Sequence, residues 1–179
     1  MRVCVVSDTH GSDEYSKILV ARIKGKVDLV IHLGDDSPDA DFFTARGFNV
    51  IKVPGVFEQI YQISTSEKRK IEVLDGIRFL LTHTPERHRN DYPTDPGPAE
   101  LSEKVNVVLY GHTHILKMSV IDNVLWLNPG HMKKGDNRGF PPSYCILDFH
   151  VDENSKKIIN AAIYEVLTDK VLMKKDFIL

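Results

Sequence analysis

Carboxylate and imidazole side chains recur just after four apolar segments of this sequence, and both side-chain types bind divalent metal ions. They are Asp8, His10, Asp35, His83, His112 and His114. The set contains no thiolate, so it suits Mn, Fe, Co, Ni or Zn in a catalytic site better than a cysteine-type structural zinc site. Six side chains are too many for one ion with an open position, but they fit two ions about 3.5 to 4 Å apart that share one carboxylate. These residues therefore predict hydrolysis at a two-metal centre.

The first third of the chain has a pattern that would bring such ligands together. Continuous apolar runs at 3–6, 29–33 and 48–53 alternate with segments of helical period at 14–24 and 39–46. This alternation is typical of a βαβαβ unit with parallel, buried strands. Ligands bind beyond the carboxyl ends of such strands, so side chains distant in sequence are expected to converge there.

After Pro54 the pattern changes to short strands joined by turns. Asp75-Gly76, between apolar runs at 69–74 and 77–82, predicts a hairpin. The proline-rich segment 85–98 is predicted to be a long loop at the rim of the active site. A short helix is expected at 99–104, and further strands at 105–110, 115–121, 124–127, 144–151 and 157–166.

The composition limits the class of protein. With 179 residues, 42% of them hydrophobic and 27% charged, the chain is expected to form a single domain over residues 1–179. No apolar run approaches the ~18 to 20 residues of a membrane span. The net charge of −2 gives no overall positive field that would attract nucleic acid or anionic lipid.

Cys4 and Cys145 lie in apolar segments typical of reduced, buried thiols. Because the N-terminus also lacks a signal-peptide pattern, we expect a cytoplasmic protein.

Several other residues have ordinary structural explanations. His32 and His150 lie within apolar segments and are expected to be hydrogen-bonded structural histidines. A run of apolar residues has a spacing that favours core packing over a partner surface: Phe57, Ile60, Tyr61 and Ile63.

The ordered motifs resemble those of the calcineurin-like metallophosphoesterase superfamily, whose pattern is D-x-H, G-D, G-N-x-D/E, a histidine after a strand, and G-H-x-H. The corresponding residues are Asp8-Thr9-His10, Gly34-Asp35, Gly55-Val56-Phe57-Glu58, His83 and Gly111-His112-Thr113-His114. The sequence is most similar to the small single-domain branch of phosphodiesterases, which also includes the retromer subunit of this fold. That branch also matches at Asn128-Pro129-Gly130 and Pro142-Ser143-Tyr144, and the resemblance covers nearly the whole chain.

The resemblance implies a fold and a set of ligands. The fold is α/β, with two mixed β-sheets packed as a sandwich and flanked by helices in four layers, α-β-β-α. Two divalent metal ions are implied, manganese being the expected one and Ni, Co, Zn, Fe or Mg the alternatives. The implied ligands are Asp8, His10 and His114 for one ion, His83 and His112 for the other, and Asp35 as the bridge.

The implied activity is that of a metal-dependent phosphoesterase, more specifically a phosphodiesterase. A hydroxide shared by the two ions would attack phosphorus in line with the leaving oxygen. His112 is expected to contact the phosphate as a catalytic residue, and Arg87, His88 and His131 are predicted substrate contacts. The expected substrate is a small phosphate ester or a nucleotide, and a homo-oligomer is compatible with the sequence.

The sequence departs from the family pattern at two adjacent positions. Val56 stands where the family has a metal-ligating asparagine, and an isopropyl group cannot coordinate a cation. Phe57 stands where many relatives carry a catalytic histidine. Two outcomes therefore compete: either the second metal ion binds weakly and activity is low or strongly metal-dependent, or the protein is a catalytically weak or inactive scaffold that binds a protein partner. A third alternative, independent of these substitutions, is a single-metal structural site that would lose much of its stability on chelation.

Overall fold

The regular elements of the protein are described by a computed structural model that covers residues 1–63, 65–135 and 138–179. The helices are α1 (Asp13–Ile23), α2 (Asp41–Thr44) and α3 (Pro98–Ser102), with 3₁₀ turns at Ser37–Ala40 and Gln59–Gln62. The strands are β1 (Arg2–Val6), β2 (Leu29–His32), β3 (Val50–Lys52), β4 (Arg69–Leu74), β5 (Ile77–Thr82), β6 (Val107–Leu109), β7 (Lys117–Ile121), β8 (Val124–Asn128), β9 (Ser143–Val151), β10 (Lys157–Glu165) and β11 (Val171–Ile178). Within the described ranges, no helix has the length and apolar character needed to cross a membrane.

The strands form two mixed sheets, of six and five strands. The first has the order β11-β10-β9-β1-β2-β3, and its β1, β2 and β3 are parallel, as the βαβαβ pattern predicts. The second has the order β4-β5-β6-β8-β7. Its β5, β6 and β8 are parallel, and the predicted hairpin pairs β4 with β5. Both sheets therefore bring several carboxyl ends of parallel strands to one place.

Three apolar clusters define the layers. Between the sheets, fully buried side chains such as Ile31 of β2 and Leu109 of β6 form one core. On the outer face of the first sheet, Leu19 of α1 packs with the strand residues. On the outer face of the second, Leu101 of α3 packs with Leu80 and its neighbours. Burying each large aliphatic side chain contributes about 1.5 to 3 kcal/mol. The predicted four-layer α-β-β-α sandwich is confirmed.

Two expectations about the elements were wrong. The predicted helix 39–46 is a 3₁₀ turn at Ser37–Ala40 followed by the single α turn of α2. Strand β11 was not expected. Its sequence VLMKKDFI carries three consecutive charged residues, yet it pairs along its length with β10.

The proline-rich segment between β5 and α3 is an irregular loop, as predicted, but it is firmly held. Arg69 at the start of β4 forms a buried ion pair with Asp91, 2.7 Å from nitrogen to oxygen, and Lys68 lies 2.5 Å from Asp95. The Tyr61 hydroxyl also donates to Asp91. Partnered buried charges of this kind are strongly destabilising to break, so the loop is fixed against the second sheet.

Candidate metal centre

The predicted ligands lie in loops that follow four strands. Asp8 and His10 follow β1, Asp35 follows β2, His83 follows β5, and His112 and His114 follow β6. Backbone hydrogen bonds join these loops in pairs: the Asp8 N–H donates to the Gly34 carbonyl at 3.0 Å, and the Gly111 N–H donates to the His83 carbonyl at 2.9 Å. The six side chains from the two sheets are therefore brought to one place.

Four of them form a first ligand group: Asp8, His10, Asp35 and His114, whose ligand atoms lie within 4.8 Å of one another. His114 Nε2 lies 3.1 Å from Asp8 Oδ1 and 3.2 Å from His10 Nε2. His10 Nε2 is also 3.8 Å from Asp35 Oδ2. Two carboxylate oxygens and two imidazole nitrogens thus converge on one point.

The second ligand group is formed by Asp35, His83 and His112, again with ligand atoms within 4.8 Å of one another. His83 Nε2 lies 3.3 Å from Asp35 Oδ1 and 3.2 Å from His112 Nδ1. The Leu33 carbonyl, 2.7 Å from His83 Nδ1, can only accept a hydrogen bond, so we assign the ring proton to Nδ1. In the neutral ring the Nε2 lone pair is then free for a ligand, and Asp35 belongs to both groups.

A buried carboxylate oxygen shows that these residues fit a cation. Asp8 is fully buried, and among the described residues its Oδ1 has no hydrogen-bond partner, its near neighbour being the proposed ligand nitrogen His114 Nε2 at 3.1 Å. Leaving such an atom unsatisfied costs about 1 to 3 kcal/mol, and more for a charged group. The surrounding donors are oxygen and imidazole nitrogen, the preferred ligands of borderline divalent ions. A bound cation would satisfy Asp8 Oδ1.

The backbone is in an uncommon conformation at five of the six predicted ligands. The φ angles are 54° at Asp8, 47° at His10, 51° at Asp35, 66° at His112 and 59° at His114. Residues other than glycine rarely adopt this left-handed conformation, which costs about 1 to 3 kcal/mol and is concentrated at functional sites. The fold therefore stores strain at the ligand loops.

Two glycines leave room for the carboxylates. A Cβ atom on Gly55 would collide with the Asp35 side chain, and a Cβ on Gly111 would lie 2.7 Å from Asp8 Oδ2. The glycines of the G-N-x-D/E and G-H-x-H motifs thus allow backbone to approach each carboxylate closely.

The charges of the two groups influence one another. Burial alone would raise the pKa of Asp35, but its hydrogen bond with His83 and the nearby imidazoles lower it. Burial would lower the pKa of His83, but Asp35 and Asp8 raise it. Burial and the charge of His83 lower the pKa of His112. The shifts favour the ionised form of Asp35 and the neutral form of His112, which are the forms that bind a metal ion, whereas the raised pKa of His83 means that a cation would have to displace a proton from its ring.

His32 is the buried structural histidine that the sequence predicts. Its Nδ1 accepts the Gly34 N–H at 3.2 Å, and its Nε2 lies 3.0 Å from Thr9 Oγ1. Burial lowers its pKa from 6.5 to about 4. His32 thus joins the loop of the first ligands to the loop of Asp35. His150 is exposed instead, so the corresponding expectation for it was wrong.

Two further residues, which lie outside the two ligand groups, hold the ligand loops. Glu58 Oε1 accepts the N–H of Gly55 at 2.7 Å and that of Ser37 at 2.9 Å, which fixes the segments around Asp35. Asn128 Nδ2 donates to the Gly111 carbonyl at 2.8 Å, which supports the G-H-x-H loop. The family motifs include both residues, but their sequence positions alone do not distinguish a ligand from a support.

The three predicted substrate contacts have different surroundings. His88 is near the second group, its ring centroid 5.6 Å from that of His112. Arg87 is exposed and donates to the carbonyls of its own loop, at 2.9 Å to Tyr92 and 3.3 Å to Pro93. His131 is buried and stacks on His114 with centroids 5.2 Å apart. His88 thus borders the second ligand group and His131 the first, whereas Arg87 is bonded to its own loop.

The positions that depart from the family pattern have opposite exposures. Val56 is fully buried, and its carbonyl accepts a hydrogen bond from Asn90 Nδ2 at 2.9 Å. Phe57 is 62% exposed, and Ile60 and Ile63 are also exposed. The expectation of core packing was therefore wrong for these three side chains and holds only for Tyr61, which is buried.

Comparison with known proteins assigns the family. The family model described as the calcineurin-like phosphoesterase superfamily domain matches residues 1–152. The chain belongs to this superfamily. Two curated relatives are probable metallophosphoesterases. YsnB of Bacillus subtilis is 28% identical over 173 residues, covering 93% of this chain and 95% of its own. The protein from Methanothermobacter thermautotrophicus is 31% identical over 133 residues, covering 73% and 76%.

Solved structures share the fold of this superfamily member over its whole length. The Escherichia coli phosphoesterase YfcE has a TM-score of 0.69 at 18% identity, covering 99% of this chain and 100% of its own. An archaeal phosphodiesterase has a TM-score of 0.64 at 22%, covering 100% of both chains. Vps29 of Entamoeba histolytica, solved in complex with Zn²⁺, has a TM-score of 0.64 at 19%, covering 99% of both. The family thus points to a metal-dependent phosphoesterase, a hydrolase.

Proposed function

We propose that this metallophosphoesterase is a phosphodiesterase with a dinuclear metal centre. The observation that carries the proposal is Asp35, which contributes one carboxylate oxygen to each ligand group and so can bridge two ions. Asp8, His10 and His114 would complete the first site, and His83 and His112 the second. Manganese is the expected ion, with nickel, cobalt, zinc, iron and magnesium as alternatives. Bound divalent ions lower the pKa of water towards neutrality and neutralise charge on phosphoryl oxygens.

The protein's own residues would hold and orient the substrate. His112 is kept in place by its backbone N–H, which donates to Asp8 Oδ2 at 3.0 Å, and its ring is only half-buried. His88 Nδ1 accepts the Asn90 N–H at 3.2 Å, so we assign the ring proton to Nε2. Nε2 can therefore donate to a phosphoryl oxygen. His112 and His88 are the proposed phosphate contacts.

The other two predicted substrate contacts, His131 and Arg87, have different roles in the proposal. His131 Nδ1 accepts the Lys133 N–H at 3.1 Å, and its Nε2 lies 3.1 Å from the Phe140 carbonyl. With both ring nitrogens engaged, it would position His114 rather than bind substrate. Arg87 would reach a phosphate only after leaving its two carbonyl partners. Because Phe57 stands where many relatives carry a catalytic histidine, water or another residue would protonate the leaving group.

The superfamily and the phosphodiesterase among the structural neighbours support a phosphate-ester substrate. A small phosphate diester or a nucleotide fits the proposal. The test is the hydrolysis of bis(4-nitrophenyl) phosphate by chelator-stripped protein titrated with Mn²⁺, Ni²⁺, Co²⁺, Zn²⁺ and Mg²⁺. We expect turnover that returns with metal and is lost in Asp8→Asn. Asp41→Asn changes an exposed carboxylate outside both groups and is the matched control. No turnover with any of the ions would overturn the proposal.

The second candidate is a scaffold that binds a protein partner and has little or no activity. Val56 in place of the asparagine ligand favours it, as do the exposed apolar side chains of Phe57, Ile60 and Ile63. Vps29, a structural neighbour, has the same fold. Size-exclusion chromatography and affinity capture test the scaffold. They would support it if wild-type protein forms a stable complex with a partner but hydrolyses no diester. The complex should be lost in a triple Phe57→Ser, Ile60→Ser, Ile63→Ser variant.

A further inference from the structure

An exposed aromatic ring stands beside the second ligand group. Phe57 is 62% exposed, and its ring centroid lies 6.5 Å from that of His112 and 5.5 Å from that of His88. The rings of Phe57 and His88 meet edge to face, at 85° between their planes. Single exposed apolar residues are common on protein surfaces. This one differs because it contacts a residue of the metal centre and a proposed phosphate contact.

The backbone on both sides of Phe57 is fixed. The Val56 carbonyl accepts from Asn90 Nδ2, and Glu58 both binds the Gly55 N–H through its carboxylate and donates its own N–H to the Gly55 carbonyl at 3.0 Å. The opposing loop is fixed as well, since the His88 N–H donates to Asp91 at 2.9 Å. Because the surroundings of the ring are already ordered, a ligand that packs on it costs little further conformational entropy. More of the favourable contact energy then remains as binding free energy.

We propose that Phe57 is a specificity-determining residue that stacks with an aromatic substituent of the substrate, such as a phenyl ring or a nucleobase. The inference deepens the proposed function and rests on it, because it takes the phosphoryl group to bind beside His112. With the phosphorus there, a substituent on an ester oxygen reaches the Phe57 ring. To stack on an aromatic side chain, a substituent needs only a π face of its own and no particular pattern of hydrogen-bonding groups. The predicted class is therefore aromatic esters in general.

The test measures binding and needs no turnover. Phenylphosphonate and methylphosphonate carry the same charged group and differ only in the substituent, so the ratio of their dissociation constants isolates the contribution of the ring. Isothermal titration calorimetry on Mn²⁺-loaded wild-type protein should show phenylphosphonate binding about tenfold more tightly. In Phe57→Ala the ratio should fall to about twofold or less, with methylphosphonate affinity unchanged. Phe57→Tyr should keep the wild-type ratio, and so should Ile60→Ala, which removes another exposed apolar side chain.

The outcomes separate this inference from the proposed function. Equal affinities for the two phosphonates in wild-type protein, or a ratio that Phe57→Ala leaves unchanged, would overturn the role of Phe57 while leaving the phosphate site intact. Failure of both phosphonates to bind the metal-loaded protein would instead overturn the proposed function. Because most of the Phe57 side chain is in solvent, the alanine variant is expected to fold, and its thermal unfolding midpoint checks this.

Discussion

The two ligand groups of the metal centre differ in their donors and in their charge. The first has four donors, including two carboxylates, and both Asp8 and His114 are buried. Among the residues that the structure describes, the second has two imidazoles and only the carboxylate that it shares through Asp35. The position from which the family pattern would supply another oxygen is Val56. An ion in the first site would therefore face two negative charges, and an ion in the second only one.

This difference implies a division of tasks. Since affinity for a divalent cation rises with the number and charge of its ligands, the first site should bind more tightly. The second ion would keep more positions for water and substrate. Phe57 and His88 border His112, a member of this second group. The weaker site is thus the side on which we place the substrate, and its occupancy should control activity.

The largest effect is expected from Asp35→Asn. The substitution removes the one charge that both groups share, so both ions should bind more weakly and kcat/KM should fall by about a thousandfold. Metal analysis after gel filtration, together with diester hydrolysis, measures both consequences. Unchanged metal content with unchanged activity would mean that Asp35 is not a bridge.

A stability effect should come from His32, which joins the two loops of the first group. Its pKa is lowered from 6.5 to about 4 on folding, so the unfolded chain takes up this proton first as the pH falls. The contribution of neutral His32 to the free energy of unfolding is therefore complete above about pH 6.5, and it declines by about 3 kcal/mol as the pH approaches 4. Urea unfolding of metal-free protein at both pH values should show a loss that is clearly smaller in His32→Gln. Identical pH dependence in the two proteins would argue against the neutral, buried His32.

A pair of alanine variants should empty one site at a time. His114→Ala should weaken the first site and His83→Ala the second, each by about a hundredfold, because each removes one nitrogen ligand from one group only. Titration with Mn²⁺ should then leave one strong site in His83→Ala and none in His114→Ala. Equal losses at both sites in either variant would contradict the separation of the groups.

The smallest expected effect is an increase in metal affinity at the second site. Val56→Asn would return an oxygen ligand and should tighten the second site by about tenfold, which raises activity when metal is limiting. Val56→Ala is the control for the change in side-chain size, and thermal unfolding reveals the penalty for a buried amide. A Val56→Asn variant that folds but gains nothing in metal affinity would show that this position does not reach the second ion.

The metal centre could be predicted from sequence because its ligands lie in short motifs at strand ends. Asp8, Asp35 and the G-H-x-H histidines each follow an apolar run, and parallel strands deliver such residues to one edge. Their roles in separate groups came from the resemblance to the family. The geometry around Asp35 agrees with that division, although ligand binding itself stays a prediction.

Other features depend on tertiary packing that no local pattern records. The charged run in β11 concealed a strand that is stabilised by pairing with β10. The spacing of apolar residues predicted Phe57 in the core, because such a pattern records only residue type and position. In the structure, hydrogen bonds of Val56 and Glu58 fix the backbone so that the Phe57 ring lies in solvent. His88 and Arg87 are neighbours in sequence, and only side-chain contacts show that His88 borders the metal centre while Arg87 bonds to a carbonyl of its own loop.

The most direct test is a Mn²⁺ titration of metal-free wild-type protein, followed by calorimetry and by electron paramagnetic resonance at each stage. We predict two ions per chain, the second bound at least about tenfold more weakly, and a spin-coupled signal that appears only as the second site fills, as expected for ions about 3.5 to 4 Å apart. A single ion per chain at saturation, or two ions without magnetic coupling, would contradict the asymmetric dinuclear centre bridged by Asp35.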